Sequence, residues 1–331
     1  MTKVVRASAP VRLDFAGGWT DVPPFSAREG GTVVAGAINL HARAEVRTGD
    51  AGIRLVARDL GAEAEAADAA GFERHGPLAL LAAGVRMLRV GGCTVQTDSD
   101  APPGSGLGSS GALDVALVAA LSAARGESLA TRDIADLACR LESHEAGIAG
   151  GRQDQFVAAF GGFLRLRFHD PHADVQPLRL DPAFAAELER RMLLCYTGAS
   201  RFSGATITRV MRAYERGDRA VTGALAALRD IAERMAEALV AGDLAKTGEL
   251  LTENWRRQQR LDAAMCTPEM SRLEDVMRAH DALGGKASGS GAGGCMFFLG
   301  PDDPAPAADA VRGLGMRLLP VRWARTGVGP C

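Results

Sequence analysis

The chain has 331 residues, 47% of them apolar and 24% charged, and a net charge of −2. That length exceeds what one hydrophobic core usually serves and predicts two lobes. The composition excludes a disordered chain, and the near-neutral charge argues against a broad footprint for nucleic acid or an anionic membrane.

In chain order, 4–17 reads as strand ending in a glycine turn, and 31–48 is β-branched and alternating, as paired strands would be. The opening residues lack an apolar signal-peptide core. GAEAEAADAAG (60–70) reads as a surface loop or frayed helix, and 77–90 as an amphipathic helix. CTVQTDSD is a short strand leading into APPGSGLGSSG, which holds too much Pro and Gly for a regular element. Residues 110–125 form an apolar helix with Ser109 or Ser110 expected at its N-cap and Gly126 at its end. This stretch is too short to span a bilayer and carries Asp114. A second helix is expected over 131–147, capped by Thr131, with strands at 161–168 and 190–198. Residues 203–262 are mostly helical, broken near Gly217 and Gly242, and 270–283 is one more helix. GGKASGSGAGG (284–294) then precedes the buried strand CMFFLG. Strands and helices mix without regular alternation, so the expectation is α+β in two lobes, 1–175 and 176–331, with HDPHADVQP (169–177) as linker. The six cysteines form no CxxC pair and the histidines show no zinc spacing, consistent with reduced thiols in a cytoplasm.

The strongest local signal is Pro102-Pro-Gly104-Ser105-Gly106-Leu107-Gly108-Ser109-Ser110, a glycine loop that opens a helix. Converging backbone N–H groups and the helix N-terminus make an anion site, and the serine hydroxyls offer oxygen to a cation. Gly289-Ser-Gly291-Ala-Gly-Gly294 spells GxGxxG, but a helix precedes it and a strand follows, the reverse of a dinucleotide fingerprint. It reads as a second glycine loop closing on the same ligand.

With APVRLDFAGGWTD (9–21), PPGSGLGSSGA and GGKASGSGAGG in that order, the chain resembles the GHMP kinases over nearly its whole length. GIAGGRQDQFVAAFGGF (147–163) and LLCYTGASR (193–201) resemble the branch holding D-glycero-D-manno-heptose 7-phosphate kinases and fucokinase domains. The resemblance implies a ribosomal S5 domain 2-like N-terminal lobe, a ferredoxin-like C-terminal lobe, and ATP with Mg2+ between them. It implies Mg2+ at Glu142 with Ser109 or Ser110, Asp154 as the group acting on the sugar hydroxyl, and Arg12 beside it. Asp21 would accept from sugar hydroxyls, within an acceptor site completed by Gly18, Trp19, Thr20 and Gly151, and Arg201 is a candidate for a second, non-transferred phosphate. The implied reaction is phosphorylation of an anomeric hydroxyl, of a heptose 7-phosphate or of a free hexose or deoxyhexose; a non-catalytic nucleotide or sugar sensor on the same fold is the reading of another class. The implied partner is a small-molecule sugar, with neither nucleic acid nor membrane, and monomer and homodimer both stay open.

Overall fold

The structure, a computed structural model, describes residues 2–198 and 203–331. The elements follow as β1 (Val4–Ala16), α1 (Phe25–Glu29), β2 (Gly31–Thr48), β3 (Ile53–Ala57), β4 (Ala62–Ala66), α2 (Ala79–Leu88), β5 (Cys93–Ser99), α3 (Ser109–Ala124), α4 (Thr131–Arg140), α5 (Gln153–Phe160), β6 (Phe163–His169) and β7 (His172–Pro177). The second half holds α6 (Pro182–Arg191), β8 (Met192–Tyr196), α7 (Ser203–Glu215), α8 (Arg219–Ala241), α9 (Leu244–Gln258), α10 (Pro268–Ala279), β9 (Gly284–Ala287), β10 (Cys295–Leu299), α11 (Ala305–Gly313) and β11 (Arg317–Leu319).

Two sheets organise these elements, and the mixed α+β expectation holds. The first has the order β4-β3-β5-β2-β6-β7, with β1 also on β2. Residues 31–48 are one 18-residue strand, not two. One side of β2 is taken by β1, while the other is divided, Gly31–Gly36 pairing with β6 and Ala42–Thr48 with β5. Both edges of this sheet differ from the sequence reading. The stretch read as a loop or frayed helix holds β4, and the linker-like stretch holds β7. The physical reason is the same at each end: edge strands carry charge on their outer side and here turn small side chains such as Ala64, Ala66 and Ala173 to the core, and β4 is dressed by Arg54, which reaches Glu63 and Glu65 at 2.9 and 3.4 Å.

The second sheet, β11-β8-β10-β9, lies between two cores. Leu194, Cys295, Phe297 and Leu299 join the first core, and Leu193, Cys195, Met296 and Phe298 the second. This two-sided burial explains why CMFFL is apolar at every position. Helix α8 ties both cores together: Leu225 and Leu228 enter the second, Met235 and Leu239 the first. Its ends fall where the breaks were expected, with Asp218 accepting from two first-turn N–H groups and Gly242 in the left-handed region. Helix α6, absent from the sequence reading, starts at an Asp181 cap followed by Pro182. No helix among the described residues is long and apolar enough to cross a membrane.

One contact joins the sheets where the cleft will form. Lys286 of β9 and Asp14 of β1, both without exposed side-chain surface, meet at 2.8 Å. The ammonium also donates to the carbonyls of Asp14 and Ala287, each at 2.7 Å, so its three protons are all placed. Lys286→Met would leave Asp14 as an unpaired buried carboxylate. We expect a loss of about 3–5 kcal/mol in urea unfolding, with much of it recovered in Asp14→Asn/Lys286→Met; a loss under about 1 kcal/mol would remove this pair from the account of lobe docking.

Candidate active site

A cleft of about 360 Å³ opens where β1, the loop before α3, the start of α5 and the loop after β9 converge. The phosphate-type loop is shaped by Gly104, Gly106 and Gly108 at φ 68°, 76° and 76°, a region that glycine enters at little cost. A Cβ on Gly106 would lie 2.5 Å from the Ser288 carbonyl oxygen, so the two glycine loops touch here. Gly108, not a serine, stands at the N-cap of α3, and no side chain caps that helix. The left-handed turn at Gly108 places the serines inside the helix, where their hydroxyls are released from capping. Ser110 Oγ donates to Glu142 Oε1 at 2.8 Å, and Ser109 Oγ is buried without a partner. The first-turn N–H groups of α3 are therefore left for an anion.

Glu142 does not continue the second helix in α form. The α-helical run ends at Arg140, and Leu141–Glu145 is a π turn, an irregularity often found at functional sites. Thr131 is the first helical residue, and Ala130 occupies the cap. Glu142 lines the cleft, while the neighbouring Glu145 pairs with Arg140 at 3.5 Å outside it. Burial pushes the Glu142 carboxyl up to about 7 against the opposing bonds from Ser110 and Gln155.

Asp154 sits in the first turn of α5. Arg12 Nε and Nη2 both reach its Oδ1 at 2.8 Å. Arg12 Nη1 donates to the Gly106 carbonyl at 2.7 Å and to Ser288 Oγ at 3.3 Å. The arginine side chain is 4% exposed and the aspartate 27%, so the carboxylate is the partner that faces the cleft. Burial raises the Asp154 carboxyl, and Arg12 pulls it part of the way back. Asp21 is held by the Gln153 backbone N–H at 3.0 Å and Gln153 Nε2 at 3.1 Å, and burial pushes it up to about 6. Gly151 is required beside it, because a Cβ there would lie 2.0 Å from Asp21 Oδ2.

Of the residues singled out in the sequence, Arg12, Trp19, Asp21, Gly104, Ser105, Gly106, Gly108, Ser109, Ser110, Glu142, Gly151, Asp154 and Gly289 line this one cleft. Trp19 does double duty, also belonging to the second core at a left-handed φ of 82°. Pro102, Leu107, Gly18, Thr20 and Gly291 are not among the lining residues. Thr20 Oγ1 ties the Gly17 turn to Thr32, and Gly291 packs on Met265. Arg201 lies outside the described residues. Sequence reasoning missed Asp14, Asp114, Gln153, Gln155, Lys286 and Ser288. Signals were present for four of them: Arg12 and Asp14 share one strand face, Gln153 and Gln155 bracket Asp154, and Asp114 interrupts an apolar helix.

Comparison with known proteins sets this geometry in a family. The models for the GHMP kinases N terminal domain and the GHMP kinases C terminal match residues 73–162 and 235–315. The D-glycero-alpha-D-manno-heptose 7-phosphate kinase of Campylobacter jejuni is 30% identical over 320 residues, covering 94% of this chain and 93% of that protein. The chain belongs to the GHMP kinases. Another relative, the bifunctional fucokinase/GDP-fucose pyrophosphorylase of Arabidopsis thaliana, is 30% identical over 90% of this chain, which spans 30% of that longer protein. The crystal structure of a D-glycero-D-manno-heptose 1-phosphate kinase from Bacteroides thetaiotaomicron superposes with TM-score 0.81 at 27% identity, covering 99% of each chain. The two-lobed fold expected of a GHMP kinase is the fold found, and members of the family are ATP-dependent phosphotransferases.

The raised carboxyls carry a consequence for this GHMP kinase without ligands. Free carboxyls titrate near pH 4, whereas folded Asp21 and Glu142 hold protons to about 6 and 7. The folded state thus binds more protons across that window, and these groups make stability fall as pH rises through it. Thermal melts between about pH 5 and 8 should show Glu142→Gln with a shallower decline than wild type. An unchanged or steeper decline would mean that the Glu142 carboxyl is not raised.

Proposed function

We propose that the chain transfers the γ-phosphoryl group of Mg2+-ATP to the anomeric hydroxyl of a sugar, with D-glycero-D-manno-heptose 7-phosphate as the acceptor and the 1,7-bisphosphate as product. The observation that carries the chemistry is the Arg12–Asp154 contact, set between the uncapped start of α3 and Asp21. The acceptor is supported by the Campylobacter jejuni relative, aligned over 94% of this chain.

The donor set fits Mg2+. Ser110 and Glu142 bring two oxygens together, and the Ser109 hydroxyl is buried and unpartnered. Among the described residues there is no cluster of three or more His, Cys, Asp or Glu that makes an all-protein cage. Mg2+ is commonly held by one or two protein groups plus phosphates and water. When bound, it supplies charge neutralisation at the phosphates. The first-turn N–H groups of α3 hold the phosphates from the other side. Asp21 accepts from sugar hydroxyls and orients the ring. Both Arg12 nitrogens use Asp154 Oδ1, which leaves Oδ2 to take the proton of the attacking hydroxyl. The oxygen bonds to the γ-phosphorus as the bond to ADP breaks. The guanidinium keeps the aspartate ionised and faces developing negative charge. Arg201 is the candidate for the acceptor's own phosphate.

A second reading, a fucokinase-like kinase of a free hexose or deoxyhexose, is favoured by the apolar wall that Trp19, Val22, Ile148 and Ile207 give the cleft. An ADP-release assay over free and phosphorylated heptoses and hexoses separates the two. Arg201→Ala should raise KM for the phosphorylated acceptor alone; an equal effect on free sugars would remove that role. With the best acceptor, Asp154→Asn should lower kcat by roughly 10²–10⁴ while ATP binding is nearly unchanged. Near-normal turnover would overturn the assignment of the base. ATP binding without ADP release from any sugar would leave a sensor.

A further inference from the structure

Helix α5 starts at the cleft and delivers two neighbouring side chains to different places. Asp154 meets Arg12 at 2.8 Å. Gln155, 1% exposed, turns between α3 and the π turn. Its Nε2 donates to Glu142 Oε2 at 2.6 Å and lies 3.4 Å from Asp114 Oδ2. One NH2 group thus gives a proton to each of two carboxyls, which fixes the plane of the amide. Asp114, fully buried on α3, has no part in the reaction described above.

The arrangement leaves two oxygens stranded. Gln155 Oε1 and Asp114 Oδ1 are buried and have no partner. Orphaned polar atoms are rare in folded proteins and call for an explanation. A leucine or methionine at 155 would fill the same space without that penalty, so packing alone does not account for the amide. What the amide supplies is a donor aimed at one Glu142 oxygen. The other Glu142 oxygen already meets Ser110. Glu142 itself rides on the π turn, where the regular helical ladder is broken.

We propose that Gln155, backed by Asp114, is a positioning residue that aims Glu142 at the cation arriving with the nucleotide. This rests on the reading of Glu142 as a metal ligand. With Gln155 on Oε2, the carboxylate keeps Oε1 turned toward Ser110 and the phosphate loop. Groups hydrogen-bonded to a metal ligand in this way set its orientation and its basicity. The position of Gln155 next to Asp154 adds a second effect: a single turn of α5 sets the base and the metal ligand at a fixed separation. Gly111 permits it, since a Cβ there would lie 2.5 Å from Asp154 Cβ and 3.2 Å from Gln155 Cδ.

The test uses Mn2+ as a paramagnetic probe, titrated onto the full chain with a non-hydrolysable ATP analogue and followed by the spin-resonance signal of the free ion. Gln155→Met removes the donor and keeps the length of the side chain. It should weaken Mn2+ in the ternary complex by about 10- to 100-fold, the range for residues behind a metal ligand. Binding of the analogue without metal should stay within about twofold, a readout that a general loss of structure would move. Gln155→Asn, which keeps an amide but withdraws its reach, should act in the same direction and carries the test if the Met variant does not fold. Glu142→Ala should weaken Mn2+ at least as much, and Gln155→Met should add nothing to it, because Gln155 acts through Glu142. Mn2+ affinity within twofold of wild type in both Gln155 variants, beside a weakened Glu142→Ala, overturns the inference alone. A Glu142→Ala protein with unchanged Mn2+ affinity overturns it together with the metal reading.

Discussion

Two charges with no access to water, Asp14 and Lys286, set the geometry of everything around the cleft. Taking both out of water is costly, and such a pair contributes little net stability compared with apolar residues of the same shape. Its value lies in direction. Lys286 holds the Asp14 carboxylate and carbonyl together at 2.8 and 2.7 Å, across a sequence separation of 272 residues. The other carboxylate oxygen takes the Gly289 backbone N–H at 2.9 Å. Ser288 Oγ, 3.4 Å from that oxygen, gives its one proton to the Gly106 carbonyl at 3.0 Å, the same carbonyl that receives Arg12 Nη1. A continuous run of bonds therefore leads from β9 through β1 and the phosphate-type loop to Asp154. The C-terminal glycine loop is fixed to the N-terminal one by polar contacts that tolerate little displacement.

That run also explains what was legible in the sequence and what was not. The glycine loops were legible because backbone in the left-handed region selects glycine, and such positions cluster at Gly104, Gly106 and Gly108. The helices within 203–262 were legible because Asp218 and Gly242 mark ends in the local sequence, whereas α6 and α11 were not read. Glu142 and Asp154 came from a resemblance, and no local pattern distinguishes Glu142 from Glu145. Lys286 stood inside a glycine motif, but its partner is on another sheet, and nothing nearby in sequence implies a buried ammonium. The edge strands β4 and β7 were lost for a different reason. Their hydrogen bonds come from neighbours in the sheet, while their side chains are those of loops.

The two ends of the cleft are built differently. At the phosphate end, β1, α3, α5 and β9 bring rigid backbone, and the bonds just traced leave no freedom to the side chains. The acceptor end is made of turns: the Gly17–Thr20 segment, the π turn and the glycines that follow it. Asp21 is gripped there at both oxygens, by the main chain and side chain of Gln153. Turns on a fixed scaffold are where side-chain identity changes at least cost to the fold. In the proposed reading, the chemistry of transfer is carried by the packed elements and the choice of sugar by residues such as Trp19 and Val22.

The charge balance of the cleft follows from the same division. Glu142, Asp154 and Asp21 line it, with Arg12 as the single Lys or Arg side chain among the described lining residues. Asp154 raises both Glu142 and Asp21 by like-charge repulsion added to burial. An ATP molecule alone would bring more negative charge to a site already short of cations, opposed by Arg12 and by the dipole and first-turn N–H groups of α3. In the proposed reading a divalent cation beside Ser110 and Glu142 changes that sign. Ser110 and Glu142 would hold that cation, and its charge would offset that of the phosphates. The carboxylates proposed for the metal and for the sugar are thus close neighbours, Glu142 bound to Gln155 and Asp154 on the same turn of α5. Gln155, between Glu142 and Asp114 on the helix that also carries Asp154, stands at the point where those two tasks meet.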